Sequence, residues 1–279
     1  MTLFVTKADG SKQSFDKSKI IKTCLRLKAS REIAKKIANK IEREAYDGIS
    51  TRKIIKLVYK YLSEYKPELK HTIDLRESIS TLRSKPDFEI FVSQILKSLG
   101  YTTIMNQVVP GKCVEHEVDI IAIKGKEIIY VEVKHHVNPH TYTGLRIFLE
   151  VWSAFEDLKD GFKLGNHEFN FSKALVVSNT KISSHAERYA RCKGIAYLGW
   201  KYPKNQGLER LIERNKLYPL TFLKGLEEKE LEKLGDIGIV TLKQFIQIPS
   251  EKISKLTRIK RKRIEEIENK VRKVLGIKF

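Results

Sequence analysis

The sequence predicts a multidomain α/β protein, with a small α/β domain in front, a mixed sheet flanked by helices in the middle and a helical domain behind. Three observations predict it. Strand-length apolar runs alternate with amphipathic helices through residues 84–200, the pattern of a sheet covered on both faces. In residues 1–83 an Asp9-Gly10 turn signal joins two short strands ahead of three helical periods. From 223 to 279 the apolar spacing is helical throughout. Residues 201–222, with Pro203, Pro219, Tyr202 and Tyr218, read as a helical connector.

In the first segment, Leu3-Phe4-Val5 and the stretch ending at Phe15 flank the turn. A helix follows over residues 17–28, with Asp16 as N-cap. Ile33, Ile37, Ile41 and Ala45 stripe a second helix, ended by Asp47-Gly48. A third starts near Ser50 or Thr51 and puts Ile54, Leu57, Val58, Tyr61, Leu62 and Tyr65 on one face. At Ser84-Lys85-Pro86-Asp87, Pro86 resists a continuing helix and Asp87 is placed to cap a new one. Phe88, Phe91, Val92, Ile95, Leu96 and Leu99 form that helix's apolar face, and Gly100 stops it. A strand over 101–109 comes next. Two further strands, Val118-Asp119-Ile120-Ile121-Ala122-Ile123 and Ile128-Ile129-Tyr130-Val131-Glu132-Val133-Lys134, flank the turn Lys124-Gly125-Lys126. A long helix over 143–160 with Gly161 as terminator, a strand over 174–177, a helix over 183–193 and a strand over 195–198 complete the middle domain.

At 279 residues the chain has room for about two or three domains. It carries 54 Lys and Arg against 34 Asp and Glu, a formal charge of +20. That balance points to a polyanionic partner, nucleic acid ahead of an anionic membrane. A generally Lys-rich proteome from a hot or salty niche is the alternative. The excess sits at the ends: residues 1–83 carry 20 basic and 10 acidic side chains and 251–279 carry 11 and 4, whereas 84–223 carry 19 and 15. Binding modules flanking a site that must itself hold cations would be charged in this way. Cys24, Cys113 and Cys192 are odd in number and far apart, fit neither a disulfide framework nor a zinc site, and predict a reducing, cytoplasmic setting. No stretch is long and apolar enough to span a membrane, and no signal peptide is evident.

The chemistry concentrates on the middle hairpin. Ile129, Val131 and Val133 point one way from their strand, and Tyr130, Glu132 and Lys134 the other. Pairing with the preceding strand brings Asp119 to Glu132 and Lys134, and the helix before both carries Glu89. Two carboxylates can hold a hard ion such as Mg²⁺ (or Mn²⁺), and an ammonium beside them can orient water or steady a phosphorane. A bare Glu-x-Lys on a strand is more often a solvated charge pair; the added Asp and helical Glu raise it above that. The order of helical Glu, then Asp, then Glu-x-Lys resembles the PD-(D/E)xK nuclease superfamily, and within it the Mrr-like restriction endonuclease domain over residues 86–200. The resemblance rests on Phe88-Glu89, a Leu-Gly-Tyr helix end, Val118-Asp119, Val131-Glu132-Val133-Lys134 and Gly194-Ile195. It implies Asp119 and Glu132 as metal ligands, Lys134 as the catalytic lysine and Glu89 as a holder of water or a second ion. Glu115-His116-Glu117 stands where many such domains have glycines; Glu117 shares the face of Asp119 as an extra ligand or a solvated rim acid. His135, His136 and His140 lack zinc spacing and read as rim or phosphate-contacting residues.

Residues 3–80 have no Walker-type loop. Their pieces Phe4-Val5-Thr6-Lys7-Ala8-Asp9-Gly10, Phe15-Asp16, Lys19-Ile20 and Gly48-Ile49-Ser50-Thr51 together resemble the ATP-cone, with Ala8 where that family usually has Arg. The resemblance implies ATP or dATP as effector, contacted by Lys7, Asp16, Lys19 and Thr51. At the back, Leu231-Glu232-Lys233-Leu234-Gly235-Asp236-Ile237-Gly238-Ile239 is similar to helix-hairpin-helix modules, whose turns let backbone amides approach a DNA phosphate. A second copy over 253–274 has Lys260-Arg261 where glycine is expected. Gly235, Gly238, Lys260 and Arg261 are thus the expected DNA contacts; a helical protein-interaction or dimerisation tail is the other reading. The sum is a Mg²⁺-dependent DNA endonuclease regulated by ATP or dATP, acting as a homodimer or higher homo-oligomer because cutting both strands needs two sites. The alternative is a non-catalytic, nucleotide-responsive DNA-binding regulator with a degenerate nuclease fold.

Overall fold

The structure is a computed structural model that describes residues 3–7, 9–27 and 29–277. Ala8, in the ATP-cone-like run, and Lys28, at the expected end of the first helix, lie outside the described residues. The chain divides into two units, one through Asp74 joined by the last residues from Gly276, the other Leu75–Leu275.

In the first unit, β1 (Phe4–Thr6) pairs antiparallel with β2 (Lys12–Ser14). The Lys7 amide donates to the Ser11 carbonyl (2.8 Å) and Gly10 takes φ +80°, so the turn at Asp9-Gly10 is wider than a two-residue hairpin loop. Asp16 caps α1 (Lys17–Arg26) by accepting from the Ser18 amide. Then come α2 (Arg31–Glu44), β3 (Ile49–Ser50) and α3 (Thr51–Tyr65), capped by Ser50. Strand β3, absent from the sequence expectation, runs parallel to β1 with Thr6 opposite Ser50. The core gathers Ile20, Cys24, Ile37, Ile41, Val58 and Leu62, while Tyr65 at the end of its expected stripe is exposed.

The second unit begins with α4 (Leu75–Ser80), a kinked turn over Ser84–Phe88 and α5 (Glu89–Ser98). Asp87 does not cap α5; its carboxylate is held by Arg83 at 2.7 Å and 2.8 Å. Strands β4 (Thr102–Pro110), β5 (Glu115–Lys124) and β6 (Glu127–Lys134) form an antiparallel meander. After β7 (Tyr142–Thr143) and α6 (Leu145–Lys163) come β8 (Lys173–Ser178), β9 (Lys181–Ile182), α7 (Ser184–Lys193) and β10 (Ala196–Leu198). The main sheet has the order β10-β8-β6-β5-β4, and β6, β8 and β10 are parallel to one another. Gly161 does not terminate α6: the helix runs to Lys163, and Gly165 (φ +78°) follows its end. A Cβ on Gly161 would meet the Gly111 carbonyl carbon at 2.7 Å and the Pro110 oxygen at 2.8 Å, so the glycine is there for close approach to the β4–β5 loop.

Alternation along β6 sorts its side chains as expected. Ile129, Val131 and Val133 join a core with Phe88, Phe91 and Ile95, while Tyr130 joins Phe148, Phe155 and Val176 under α6 and α7. The first of these cores continues without a break into α8 (Leu208–Asn215), α9 (Glu228–Asp236), α10 (Leu242–Gln247), α11 (Ser250–Thr257) and α12 (Arg261–Leu275), through Ile212, Phe222, Leu234, Phe245, Ile264 and Val271. Each large side chain buried there contributes about 1.5–3 kcal/mol. Among the described residues no helix is long and apolar enough to cross a membrane. Cys24 is buried, Cys113 and Cys192 are exposed, and all three are free.

Candidate active site

The register places the site. Ile120 pairs with Val131 in the β5–β6 ladder, so Asp119 and Glu132 come opposite one another one step further along. Opposed residues of an antiparallel pair project to the same face. The Val133 amide donates to Asp119 Oδ2 (2.8 Å), fixing one carboxylate oxygen and leaving Oδ1 to face Lys85 Nζ (3.3 Å). Glu132 is held on both sides: the Tyr130 hydroxyl donates to Oε2 (3.2 Å) and the Lys134 ammonium to Oε1 (2.8 Å). The strand alternation that carries Glu132 and Lys134 also carries Tyr130, which the sequence reading left unassigned.

Glu89 enters from the first turn of α5 with its side chain only 2 % exposed. Its Oε2 is buried without a hydrogen-bond partner. Burial, and after it the Asp119 charge, push the Glu89 carboxyl above the usual carboxylate range; Lys85 opposes this. Glu132 is raised by the same two causes, burial first, against Lys134 and Tyr130. For Lys134 burial favours the neutral amine, but the bond and charge of Glu132 outweigh it and hold the ammonium above its ordinary value. The site therefore concentrates buried negative charge that its own cations only partly offset.

Lys85 was not foreseen. Its Nζ lies 2.7 Å from Glu117 Oε1, 3.3 Å from Glu89 Oε1 and 3.3 Å from Asp119 Oδ1. The one signal for it in the sequence is its place four residues before Glu89. Asn106, in β4 across from Asp119, holds φ +53°, and its side chain favours ionised Glu89.

His135 is no rim residue. Its Nε2 donates to the Ile79 carbonyl (3.0 Å), its Nδ1 faces the Ser84 hydroxyl (3.1 Å), and its ring tilts against Phe88. Burial pulls its pKa down, so the ring is a neutral strut between α4 and the strand end. Asn179 clamps the next residue, accepting from the His136 amide (2.9 Å) and donating to its carbonyl (2.7 Å).

Among the described residues no three His, Cys, Asp or Glu side chains converge closely enough to hold a metal ion as they stand. The donors present, Asp119, Glu132 and Glu89 with an unpartnered buried oxygen, are all carboxylates. That set suits a hard cation such as Mg²⁺ better than zinc.

The other expected contacts are distributed as follows. Lys7 and Thr51 follow Thr6 and Ser50, so they emerge at the same end of two adjacent parallel strands. Lys19 Nζ donates to Gln13 Oε1 (3.0 Å), and Asp16 is engaged as the α1 cap. Gly238 takes φ +78° in the α9–α10 turn with nothing within 4 Å of where a Cβ would be. Gly235 is different: it is buried, and a Cβ there would lie 2.3 Å from Asp87 Oδ1, so packing against the Arg83–Asp87 pair accounts for this glycine rather than a phosphate contact. The α11–α12 turn forms without glycine, because Arg258 adopts the left-handed conformation (φ +57°) and the Thr257 hydroxyl accepts from the Ile259 amide (3.2 Å). Lys260 and Arg261 are exposed at the start of α12, whereas Arg263 of the same run is spent on Glu230 (2.7 Å and 2.9 Å).

Comparison with known proteins agrees with this architecture. Residues 3–78 match the ATP cone domain family, 82–198 the family described as restriction endonuclease, and 218–275 the family described as AF1548-like, C-terminal. An uncharacterized protein of Archaeoglobus fulgidus is 31% identical over 185 residues, which is 66% of this chain and 100% of that protein. A second uncharacterized protein of the same organism is 46% identical over 41 residues, 15% of this chain and 87% of its own length. The solved structure described as the crystal structure of a protein of unknown function, AF1548, superposes with a TM-score of 0.59 at 30% identity, over 73% of this chain and 99% of that one. The five-stranded mixed sheet is thus a restriction-endonuclease-type domain. The chain belongs to the AF1548-like family, and in it an ATP-cone domain precedes the nuclease-type and C-terminal domains.

Proposed function

We propose that the protein is a metal-dependent DNA endonuclease whose activity is set by ATP or dATP at the N-terminal domain. The observation that carries this reading is the β5–β6 register, which brings Asp119 opposite Glu132 with Lys134 bonded to Glu132. Asp119 and Glu132 would hold the divalent cation, Mg²⁺ or Mn²⁺. Bound there, such an ion supplies Lewis-acid polarisation of the phosphate and of a water. Val133 N–H and Tyr130 O–H keep the two carboxylates oriented, and Lys134 places positive charge where the phosphorane gains negative charge. Glu89 would hold the attacking water or a second ion in line. The strands β1 and β3 would present Lys7 and Thr51 to nucleotide phosphates, with Lys19 and Asp16 nearby in sequence. Gly238, Lys260 and Arg261 would contact DNA backbone phosphates, a grip that carries no base readout.

The test incubates plasmid, branched and single-stranded DNA with Mg²⁺ or Mn²⁺, with and without ATP and dATP, for wild type and Lys134→Ala. Metal-dependent cleavage by wild type, lost in the variant, is the expected outcome. Equal cleavage by both proteins removes the assigned site. The second reading, a DNA-binding regulator with a degenerate nuclease fold, draws on the absence of a preformed three-ligand metal cluster among the described residues. It predicts salt-sensitive DNA binding without cleavage under any of these conditions.

A further inference from the structure

Lys85 stands among the carboxylates of the nuclease site without being part of the strand that defines it. Its single charge faces three acids, Glu117 and Asp119 on β5 and Glu89 on α5, at 2.7, 3.3 and 3.3 Å. One ammonium is shared among three acids, with Lys134 acting on Asp119 and Glu117 from further off, and among the described residues Glu89 Oε2 is a buried oxygen without a hydrogen-bond partner. Buried polar groups are almost always satisfied, so such an oxygen calls for a water or a cation. The Lys85 side chain is 56% exposed, whereas Glu89 and Asp119 are 2% and 8% exposed. The cation can therefore leave on its four-carbon stem, as can the 64% exposed Glu117, while Glu89 and Asp119 stay fixed by the helix and strand.

We propose that Lys85 is a resident counter-ion of the Glu89, Glu117 and Asp119 carboxylates, and that a divalent cation enters the site only by displacing it. The inference rests on the nuclease reading of this site. It explains why the acids stand paired to a lysine instead of converging as a ready metal cage. In it, Lys85 holds like charges together in the absence of metal and sets the concentration at which metal replaces it. Because the displaced ammonium remains tethered at the turn before α5, it stays beside the site and does not diffuse away. Lys85 is thus a positioning residue for the metal ligands, distinct from Lys134, which is bonded to Glu132.

The experiment uses the full chain without DNA. Mn²⁺ is titrated into wild type, Lys85→Gln, Lys85→Arg and Asp119→Asn, and free Mn²⁺ is read by electron paramagnetic resonance. Lys85→Gln is expected to bind Mn²⁺ at least about tenfold more tightly than wild type, since the competing charge is gone, while Lys85→Arg does not. In parallel, wild type is acylated with a water-soluble succinimidyl ester with and without Mg²⁺, and labelling is quantified peptide by peptide. Mg²⁺ is expected to raise labelling of Lys85 severalfold and leave Lys36, paired with Glu32 on the surface, unchanged. Equal or weaker Mn²⁺ binding by Lys85→Gln overturns the proposal, as does tighter binding with Lys85 labelling indifferent to Mg²⁺, which would mean a mere neighbouring charge. Binding that is lost in Asp119→Asn but indifferent to Lys85 leaves the nuclease reading standing and removes only this inference. No Mn²⁺ binding by wild type or Lys85→Gln removes both.

Discussion

Glu132 is held where ionisation is costly. Burial and then the Asp119 charge raise its carboxyl, so the folded state binds that proton more tightly than the unfolded chain does. By linkage the resulting penalty is absent below the ordinary carboxylate range and fully present above the raised value, so it acts at neutral pH and fades as the solution is acidified. Glu132→Gln should therefore abolish cleavage while melting higher than wild type at neutral pH. For a unit of this size the gain is about 2–4 °C per kcal/mol, and it should vanish in acid. Melting curves across that pH range check the sign; a variant that melts lower at neutral pH refutes it. Mg²⁺ should raise the melting temperature of wild type and not of the variant, which has lost a proposed ligand. The residue-scale site was legible where strand alternation decides direction: Asp119, Glu132 and Lys134 followed from a period of two. Lys85 and Asn106 were not, because a kinked turn and a residue at positive φ obey no periodicity.

At the scale of elements, the β4–β5 loop is held to α6 by the Asp157 carboxylate and carbonyl, the latter accepting from the Lys112 amide (3.1 Å), and by the close approach of Gly161. Asp157 accepts from the amides of Cys113 (2.9 Å) and Val114 (3.3 Å) and from His116 Nε2 (2.8 Å). Burial works against its charged form, but these bonds outweigh it and hold the carboxyl well below the usual range. A depressed carboxylate stabilises the fold above its unfolded value and loses that contribution as pH falls. Asp157→Ala should cost about 1.5–3 kcal/mol at neutral pH, shrinking in acid, as read by urea unfolding. Gly161→Ala should cost about 1–3 kcal/mol through backbone collision with Gly111, measured in the same way. The same glycine shows why element boundaries were harder to read than element types. Inside an amphipathic period, glycine reads as a stop, and the loop that demands it lies fifty residues earlier in the chain. Helices α2, α3 and α5 were visible because their apolar stripes face a core. Strands β3, β7 and β9, two residues each, were not, since they exist only through pairing partners elsewhere.

For the whole molecule, the core under the central sheet runs on into the C-terminal helices, from Phe91 through Leu234 and Phe245 to Val271. Phe91→Ala and Phe245→Ala should then lower one shared unfolding transition of this unit, each by about 3–5 kcal/mol. Two separated transitions in calorimetry would contradict a common core. The basic back end is partly consumed within the fold. Arg263 is tied to Glu230 within the fold, and Lys260 and Arg261 remain exposed. Replacing both with Ala should weaken DNA binding evenly across sequences and lower the slope of log affinity against log salt by about 2. An unchanged slope would take these residues out of the interface.

The seam between the nuclease-type sheet and the C-terminal helices is locked as well as packed. Arg83 bonds Asp87 on its own segment and Asp236 at the end of α9 (2.9 Å), with Gly235 pressed against the pair. Such a joint, over a continuous core, resists bending. If the C-terminal turns hold a phosphate and the proposed site cuts, the scissile bond would fall at a constant reach from that hold, as on a caliper with its jaws set. The sites of cutting would then be dictated by a length along the DNA, and end-mapping of the products would return one offset whatever the base sequence between.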